Sequence, residues 1–118
     1  STFSINGDDT LEAVDRVLDE WYARKGGSPT AVFAVNDHLA LVVRQHLKNH
    51  RDDLADDVLL AGFDDLIGDR LDSPFVTVRQ EYAKMGRTAA ELLIDKIEKG
   101  TYVPENHVVP IEFVQYNV

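Results

Sequence analysis

Residues 30–37 are Thr30-Ala31-Val32-Phe33-Ala34-Val35-Asn36-Asp37, an apolar run that ends in an amide and a carboxylate. The same pattern recurs at residues 58–65, which are Val58-Leu59-Leu60-Ala61-Gly62-Phe63-Asp64-Asp65. Such runs are typical of buried strands in a parallel sheet. In open α/β sheets, ligands bind outside the carboxyl ends of the strands. The two runs therefore predict one crevice that receives polar side chains from two neighbouring strands, as a hydroxyl-rich ligand requires.

Helices and strands alternate along the rest of the chain. Their order predicts an α/β fold in which helices flank a parallel sheet. Because Pro110 interrupts the last apolar run, the final strand is expected either to lie at an edge of the sheet or to contain a bulge. The predicted elements are helix 10–25, strand 30–35, a helix from 36 or 37 to about 50, strand 58–63, a short helix or loop at 65–71, strand 75–78, helix 82–99 and strand 108–114.

Composition limits the possible functions. The 118 residues carry a formal net charge of −9, with 12 basic against 21 acidic residues. Clustered Lys and Arg hold nucleic acids, so this chain is not expected to bind DNA by itself. The absence of cysteine excludes disulfides, thiolate metal ligands and a cysteine nucleophile, and it fits a reducing cytoplasm. No apolar run has the length of a membrane span, so no membrane contact is predicted.

The polar residues at the strand ends also have a simpler explanation. Asn and Asp are preferred helix N-caps, so Asn36 or Asp37 could serve only to begin a helix. Asp64 and Asp65 could be ordinary turn residues. A cap needs only one residue of a pair, however, and both pairs lie where this fold class places its ligands. Both explanations stay open from the residues alone.

Signals for metal binding or catalysis are weak. His46 and His50 are four residues apart on a predicted helix, which is a spacing of metal ligands. No Glu follows His46, so the metalloprotease pattern is absent, and a solvated helix face is the preferred interpretation. The sequence has no nucleophile elbow and no glycine-rich phosphate loop after a strand. We therefore predict no enzyme, no metal and no cofactor.

Taken in order, these residues resemble the effector-binding core of the lactose-repressor (LacI/GalR) family of bacterial transcription regulators. The resemblance implies a Rossmann-like fold of the periplasmic-binding-protein type, with two lobes joined by three crossovers. The chain departs from the family pattern at residues 49–55 and 115–117. The matching segments fall between residues 29 and 93 and are Pro29 to Asp37 with Leu39-Ala40, Asp57 to Asp65, Pro74 to Gln80, Met85-Gly86-Arg87 and Ala89 to Leu93.

The resemblance also implies a sugar-binding site. Asn36 and Asp64 match the amide and the carboxylate that hydrogen-bond ligand hydroxyls in the family, and Gln80 matches a polar contact at the crossover between the lobes. Phe3 lies where the family often has an aromatic ring stacked on the sugar, and Tyr82 is a second candidate for such a wall. Amides and carboxylates satisfy hydroxyls in fixed directions, while an aromatic face covers the C–H side of a sugar ring.

The resemblance implies that residues 1–118 are a C-terminal fragment of this core. Residues 1–78 would belong to the second lobe, and residues 79–118 would form a crossover with a first-lobe helix and strand. Operator DNA would be bound only through an N-terminal helix-turn-helix outside this fragment. Helix 82–99 carries an apolar stripe that either the chain's own strands or, preferably, a second copy should cover, since family members are homodimers. The stripe consists of Met85, Ala89, Leu92, Leu93 and Ile97.

Two alternatives remain beside a cytoplasmic regulator with a carbohydrate effector. A periplasmic sugar-binding protein of an ABC transporter shares the fold and a similar site, although residues 77–80 and 85–87 favour the regulator. A phosphoacceptor receiver domain has this length and a doubly wound sheet. It requires an acidic pair after its first strand and a lysine after its last strand, and the chain does not supply them where expected.

Overall fold

The computed structural model describes residues 11–25, 31–52, 55–67, 70–100 and 104–118, so the predicted ligand residue Phe3 lies outside the described residues. The α/β fold class is confirmed. Helix 82–99 has the predicted bounds, whereas the first two strands are shorter than predicted. The elements are α1 (Leu11–Lys25), β1 (Ala31–Phe33), α2 (Asp37–His50), β2 (Leu59–Ala61), β3 (Phe75–Gln80), α3 (Tyr82–Lys99) and β4 (Ile111–Tyr116).

The described strands form one sheet in the order β1-β2-β3-β4. Strands β1, β2 and β3 are parallel, but β4 is antiparallel to β3, from Phe75 opposite Tyr116 to Gln80 opposite Ile111. The prediction of a wholly parallel sheet is therefore wrong for β4. A parallel connection requires the crossover helix to pack back across the sheet. Helix α3 buries no residue, and the chain instead returns through residues 104–110 to run back along β3.

Helices α1 and α2 cover one face of the β1–β3 part of the sheet. Leu47 of α2, Leu60 of β2 and Phe75 of β3 are fully buried in this core. Val14 and Leu18 of α1 also belong to this core. Because α2 is anchored to this core along its length, its N-terminus is fixed at the carboxyl edge of the sheet.

Helix α3 projects beyond the packed part of the chain. Its 18 residues span about 27 Å at 1.5 Å per residue, and the molecule extends 61 Å along its longest axis. Leu93 is 58% exposed and Ile97 is 72% exposed. The hypothesis that the chain's own strands bury the stripe of α3 is therefore wrong. Within the described ranges, no helix is long and apolar enough to cross a membrane.

Candidate functional site

The N-terminus of α2 uses both polar residues that follow β1. The Asn36 side chain caps the helix, with its Oδ1 atom accepting a hydrogen bond from the Leu39 amide at 2.7 Å. Capping by Asn36, the simpler explanation, is therefore confirmed. The cap occupies the amide oxygen, so the donor end of the side chain is its Nδ2 group. Asn36 can serve as a cap and still offer N–H donors to a ligand oxygen.

Asp37 is buried, and its side chain connects the start of α2 to the segment after β2. Only 1% of the residue is exposed. Its Oδ1 atom accepts from the Thr77 hydroxyl at 2.6 Å, and its Oδ2 atom accepts from the Leu66 amide at 2.8 Å. Its own amide donates to the Phe63 carbonyl at 2.9 Å. Because both carboxylate oxygens already accept hydrogen bonds within the chain, Asp37 stabilises the site and does not face a ligand.

The close approach of α2 to β2 requires glycine at position 62. A Cβ atom on Gly62 would lie 2.5 Å from Asp37 Oδ1, 2.9 Å from Phe75 Cζ and 3.1 Å from Asp37 Cα. The last contact is with backbone, which cannot move without shifting the start of α2. This glycine therefore sets the spacing between the two strand ends that carry Asn36 and Asp64.

After Gly62, two residues have backbone conformations with positive φ, which residues other than glycine rarely adopt. Asp64 has φ of 109° and Asp65 has φ of 56°. Such residues persist only when their surroundings hold them, and they are concentrated at functional sites. Here the Asp64 amide donates to the Val78 carbonyl at 2.9 Å, and the Asp65 amide donates to Thr77 Oγ1 at 3.3 Å. The two carboxylates consequently leave the turn in different directions.

Asp65 is bound by residues of the third and fourth strands. Its Oδ2 atom accepts from Arg79 Nε at 2.6 Å, and its Oδ1 atom accepts from the Tyr116 hydroxyl at 2.8 Å. Its side chain is 6% exposed. The hydrogen bond to Asp65 raises the pKa of Tyr116, with burial as a second cause. The hydrogen bond and the charge of Asp65 also raise the pKa of Arg79. Asp65 thus ties the loop to the sheet and is not free to receive a ligand.

Asp64 lies beside two predicted ligand residues, Gln80 at the end of β3 and Tyr82 at the start of α3. Gln80 Nε2 donates to Asp64 Oδ1 at 2.7 Å and to the Tyr82 hydroxyl at 3.1 Å. The Tyr82 hydroxyl lies 3.4 Å from the Asp64 carbonyl oxygen. Burial and then hydrogen bonding to Asp64 raise the pKa of Tyr82. We call Asp64, Gln80 and Tyr82 the polar cluster.

The structure therefore brings three of the five predicted ligand residues into contact and places Asn36 at the neighbouring strand end. The sequence analysis did not predict that Arg79 and Tyr116 hold Asp65. Arg79 could have been suspected, because it lies two residues after Thr77 on the same strand and such residues share a face of the sheet. Tyr116 gave no signal, because its partner is 51 residues away.

The histidines also require a correction. His46 is 0% exposed, so the interpretation of a solvated helix face is wrong for this residue and holds only for His50. The ring is buried because α1 packs on that face of α2 and brings Asp15 to 2.5 Å from His46 Nδ1. Asp15, His46 and His50 form a group of potential metal ligands between the two helices.

Comparison with known proteins agrees with this geometry. The sequence profile of the periplasmic binding protein-like domain matches residues 3–115, and the chain therefore belongs to that family. The HTH-type transcriptional repressor PurR of Photobacterium profundum is 26% identical over 95 residues, which are 80% of this chain and 28% of that protein. The predicted resemblance to LacI/GalR-type regulators is thus confirmed.

Two solved structures of regulators share the fold and contain bound sugars. The complex of the transcriptional regulator CelR with cellobiose has a TM-score of 0.75 and 28% identity, covering 95% of this chain and 35% of that one. The Cra transcriptional dual regulator of Pseudomonas putida, in complex with fructose 1-phosphate, has a TM-score of 0.75 and 26% identity, covering 93% and 40%. The chain spans between 28% and 40% of the length of these three relatives.

Proposed function

We propose that this chain is part of the effector-binding core of a LacI/GalR-type transcriptional regulator that senses a sugar-like small molecule. The polar cluster carries the proposal, because it gathers a carboxylate, an amide and a phenol at the carboxyl edge of the sheet. Ligands of open α/β sheets bind at this edge. The three relatives described above are regulators rather than enzymes, so we infer that the site binds and does not catalyse.

The proposed ligand contacts combine donors and acceptors with aromatic surface. Asn36 Nδ2 would donate to a hydroxyl oxygen, and Asp64 would accept from hydroxyl groups. Gln80 uses its Nε2 group within the polar cluster, which leaves Oε1 as its acceptor end. Tyr82 is 45% exposed, and its ring would cover the apolar side of a sugar. By the family resemblance, Phe3 would supply a second aromatic contact.

The charges at this edge favour a neutral effector over a phosphorylated one. Asp37, Asp64 and Asp65 bring three carboxylates to the carboxyl ends of β1 and β2. Arg79, the cation that contacts this group in the described residues, is already paired with Asp65 and Glu112. A phosphate group would be repelled by like charge here, whereas neutral hydroxyls gain charge-assisted hydrogen bonds.

Calorimetry on the whole regulator tests the site. Cellobiose and other neutral sugars should be compared with their phosphates, using the wild type, Asp64→Ala, Asn36→Ala and the control Asp72→Ala, an exposed carboxylate just before β3. Asp64→Ala should weaken binding by about 1.5–3 kcal/mol, since a charged acceptor is lost. Unchanged affinity in both site variants would refute the assignment, and preferential binding of a sugar phosphate would refute the charge argument.

The 118-residue chain alone should bind the same effector poorly. Small-ligand sites bury most of the ligand between two walls, and Tyr82 and Met85 remain exposed in this chain. We propose that residues 1–78 form part of a second lobe and that residues 79–118 contribute a crossover, a helix and a strand to a first lobe. Micromolar affinity of the isolated chain for the effector would contradict this division.

We further propose that the whole protein is cytoplasmic and binds operator DNA through a separate helix-turn-helix, since a net charge of −9 does not suit DNA binding by this part. A periplasmic transport protein would differ in the coding sequence upstream. A signal peptide found there would overturn the regulator proposal in favour of the transporter. A helix-turn-helix found there would support the regulator. Membership of the periplasmic binding protein-like family argues against the receiver domain.

Homodimerisation is the last part of the proposal. The stripe of α3 leaves Leu93 and Ile97 more than half exposed, and each large apolar side chain gains about 1.5–3 kcal/mol on burial. We expect the chain to self-associate at micromolar concentration through this face. Sedimentation should show a dimer that Leu93→Glu dissociates and that Arg87→Glu, an exposed residue off the stripe, leaves intact. A monomeric wild type would contradict this expectation.

A further inference from the structure

Three potential metal ligands converge between α1 and α2, far from the proposed effector site. His46 Nδ1 lies 2.5 Å from Asp15 Oδ1, and His50 Nε2 lies 3.7 Å from Asp15 Oδ2. One ligand atom from each residue lies within 4.8 Å of the other two. The two imidazole rings have centroids 4.8 Å apart. The two imidazoles, four residues apart on α2, and the carboxylate from α1 thus converge on one point.

A hydrogen bond between His46 and Asp15 explains only part of this arrangement. It would satisfy the buried ring of His46, but it does not account for His50. The nitrogen of His50 faces the second Asp15 oxygen at 3.7 Å, which is longer than a hydrogen bond. In a tetrahedral zinc site with bonds near 2.0–2.1 Å, ligand atoms lie about 3.3 Å apart. Binding of an ion would replace the hydrogen bond between His46 and Asp15 and lengthen that pair from 2.5 Å. A small movement of the half-exposed His50 would shorten its 3.7 Å distance to Asp15.

The packing of the His46 ring selects one nitrogen for the site. The ring is fully buried and stacks on Tyr22. Its Nε2 atom has no hydrogen-bond partner among the described residues, so the polar contact of this ring is made through Nδ1 toward Asp15. A ring held in place by its neighbours loses little freedom when an ion binds.

We propose that Asp15, His46 and His50 bind one divalent first-row transition metal ion of the Zn²⁺ class. Two imidazoles and a carboxylate suit zinc, nickel or cobalt better than magnesium or calcium, which prefer oxygen ligands. Three protein ligands leave a position for water on the exposed His50 side. The ion would clamp α1 to the C-terminal half of α2. Because His46 is ten residues beyond Asn36, this site lies about 15 Å along the helix from the effector edge.

Cobalt binding to the purified chain tests the site without any effector. Co²⁺ should give visible absorption bands that saturate at one ion per chain and that Zn²⁺ displaces. Zn²⁺ should also raise the melting temperature, since an ion that binds only the folded chain stabilises it. His50→Ala should weaken binding by at least about tenfold, because loss of outer-shell partners alone costs that much in known sites.

Matched variants separate the ion site from a purely structural contact. His38→Ala removes an exposed histidine from the same helix and should leave metal binding unchanged. Asp15→Asn keeps a hydrogen-bond acceptor but should weaken Co²⁺ binding. If His46→Ala fails to fold, the exposed His50 still decides the question. Absence of Co²⁺ bands, or equal affinity in the wild type and His50→Ala, would overturn the proposal. Neither result depends on whether the effector site is assigned correctly.

Discussion

Strand β3 separates two regions that are built differently. Toward β2, the chain packs α1 and α2 against a parallel sheet, and Phe75 of β3 is 0% exposed. Toward β4, the sheet continues through six paired residues, yet Phe113 of β4 is 76% exposed. Hydrogen bonds between strands form in both regions, but only one has helices over its sheet. The comparison indicates that backbone pairing extends beyond the packed core in this chain.

The largest expected effect tests this difference with two phenylalanines. Phe75→Ala should lower the free energy of unfolding by about 3–5 kcal/mol, because it leaves a cavity in the core. Phe113→Ala should change it by no more than about 0.5 kcal/mol, as is usual for surface positions. Urea denaturation of the two variants at the same low protein concentration provides the measurement. A large loss with Phe113→Ala would mean that β4 is covered in solution.

Two glycines sharpen the same comparison. Gly62→Ala should destabilise the fold by about 1–3 kcal/mol, since its Cβ would collide with Asp37 and Phe75. Gly86 lies in α3, and a Cβ there meets nothing within 4 Å. Gly86→Ala should therefore stabilise the chain by about 0.5–1 kcal/mol through helix propensity. Thermal unfolding measures both changes, and a destabilising Gly86→Ala would show that another surface packs against this part of α3.

A further prediction concerns the contact that joins the two regions. Tyr116→Phe removes the hydrogen bond to Asp65 and should cost about 0.5–1.5 kcal/mol near neutral pH. The folded state raises the pKa of Tyr116 above its usual value of 10. At alkaline pH the folded chain therefore keeps a proton that the unfolded chain has lost, and stability falls as pH rises.

Measurement of this effect requires unfolding curves of the wild type and Tyr116→Phe between about pH 7 and pH 11, a range that spans the ordinary tyrosine pKa. The difference in stability between the wild type and Tyr116→Phe should be largest below the usual pKa of 10. It should shrink as pH rises through the pKa of Tyr116 in the folded state. A difference that stays constant across this range would mean that the Tyr116 hydroxyl makes no such contact. Tyr82→Phe serves as a comparison, because the pKa of Tyr82 is also raised.

The local pattern of the sequence predicted most of the elements and part of the site. The bounds of α3 follow from residues 82–99, and the cap at Asn36 follows from a polar residue between a strand and a helix. The proximity of Asp64 and Gln80 follows from adjacent strands that end at one edge of the sheet. These predictions succeeded because each rests on neighbours in sequence or on a general property of parallel sheets.

Other features could not be predicted because their partners are distant in sequence. His46 has the same spacing from His50 whether the helix face is covered or not, and only the packing of α1 buries it. The choice between Asp64 and Asp65 likewise depends on Arg79 and Tyr116, which bind one of the two carboxylates. A local pattern cannot distinguish two adjacent aspartates that have the same chemistry.

The sequence by itself determined the α/β fold class, the polar ends of the first two strands and an acidic surface unsuited to DNA. Apolar periodicity, capping chemistry and net charge are local or additive properties, so they can be read without coordinates. Only the tertiary structure decided that β4 runs antiparallel to β3, that Asp37 is buried against Thr77, and that Asp15 lies beside two histidines. Strand direction and long-range contacts depend on the path of the chain in space, and α3, which buries none of its residues, does not fix that path.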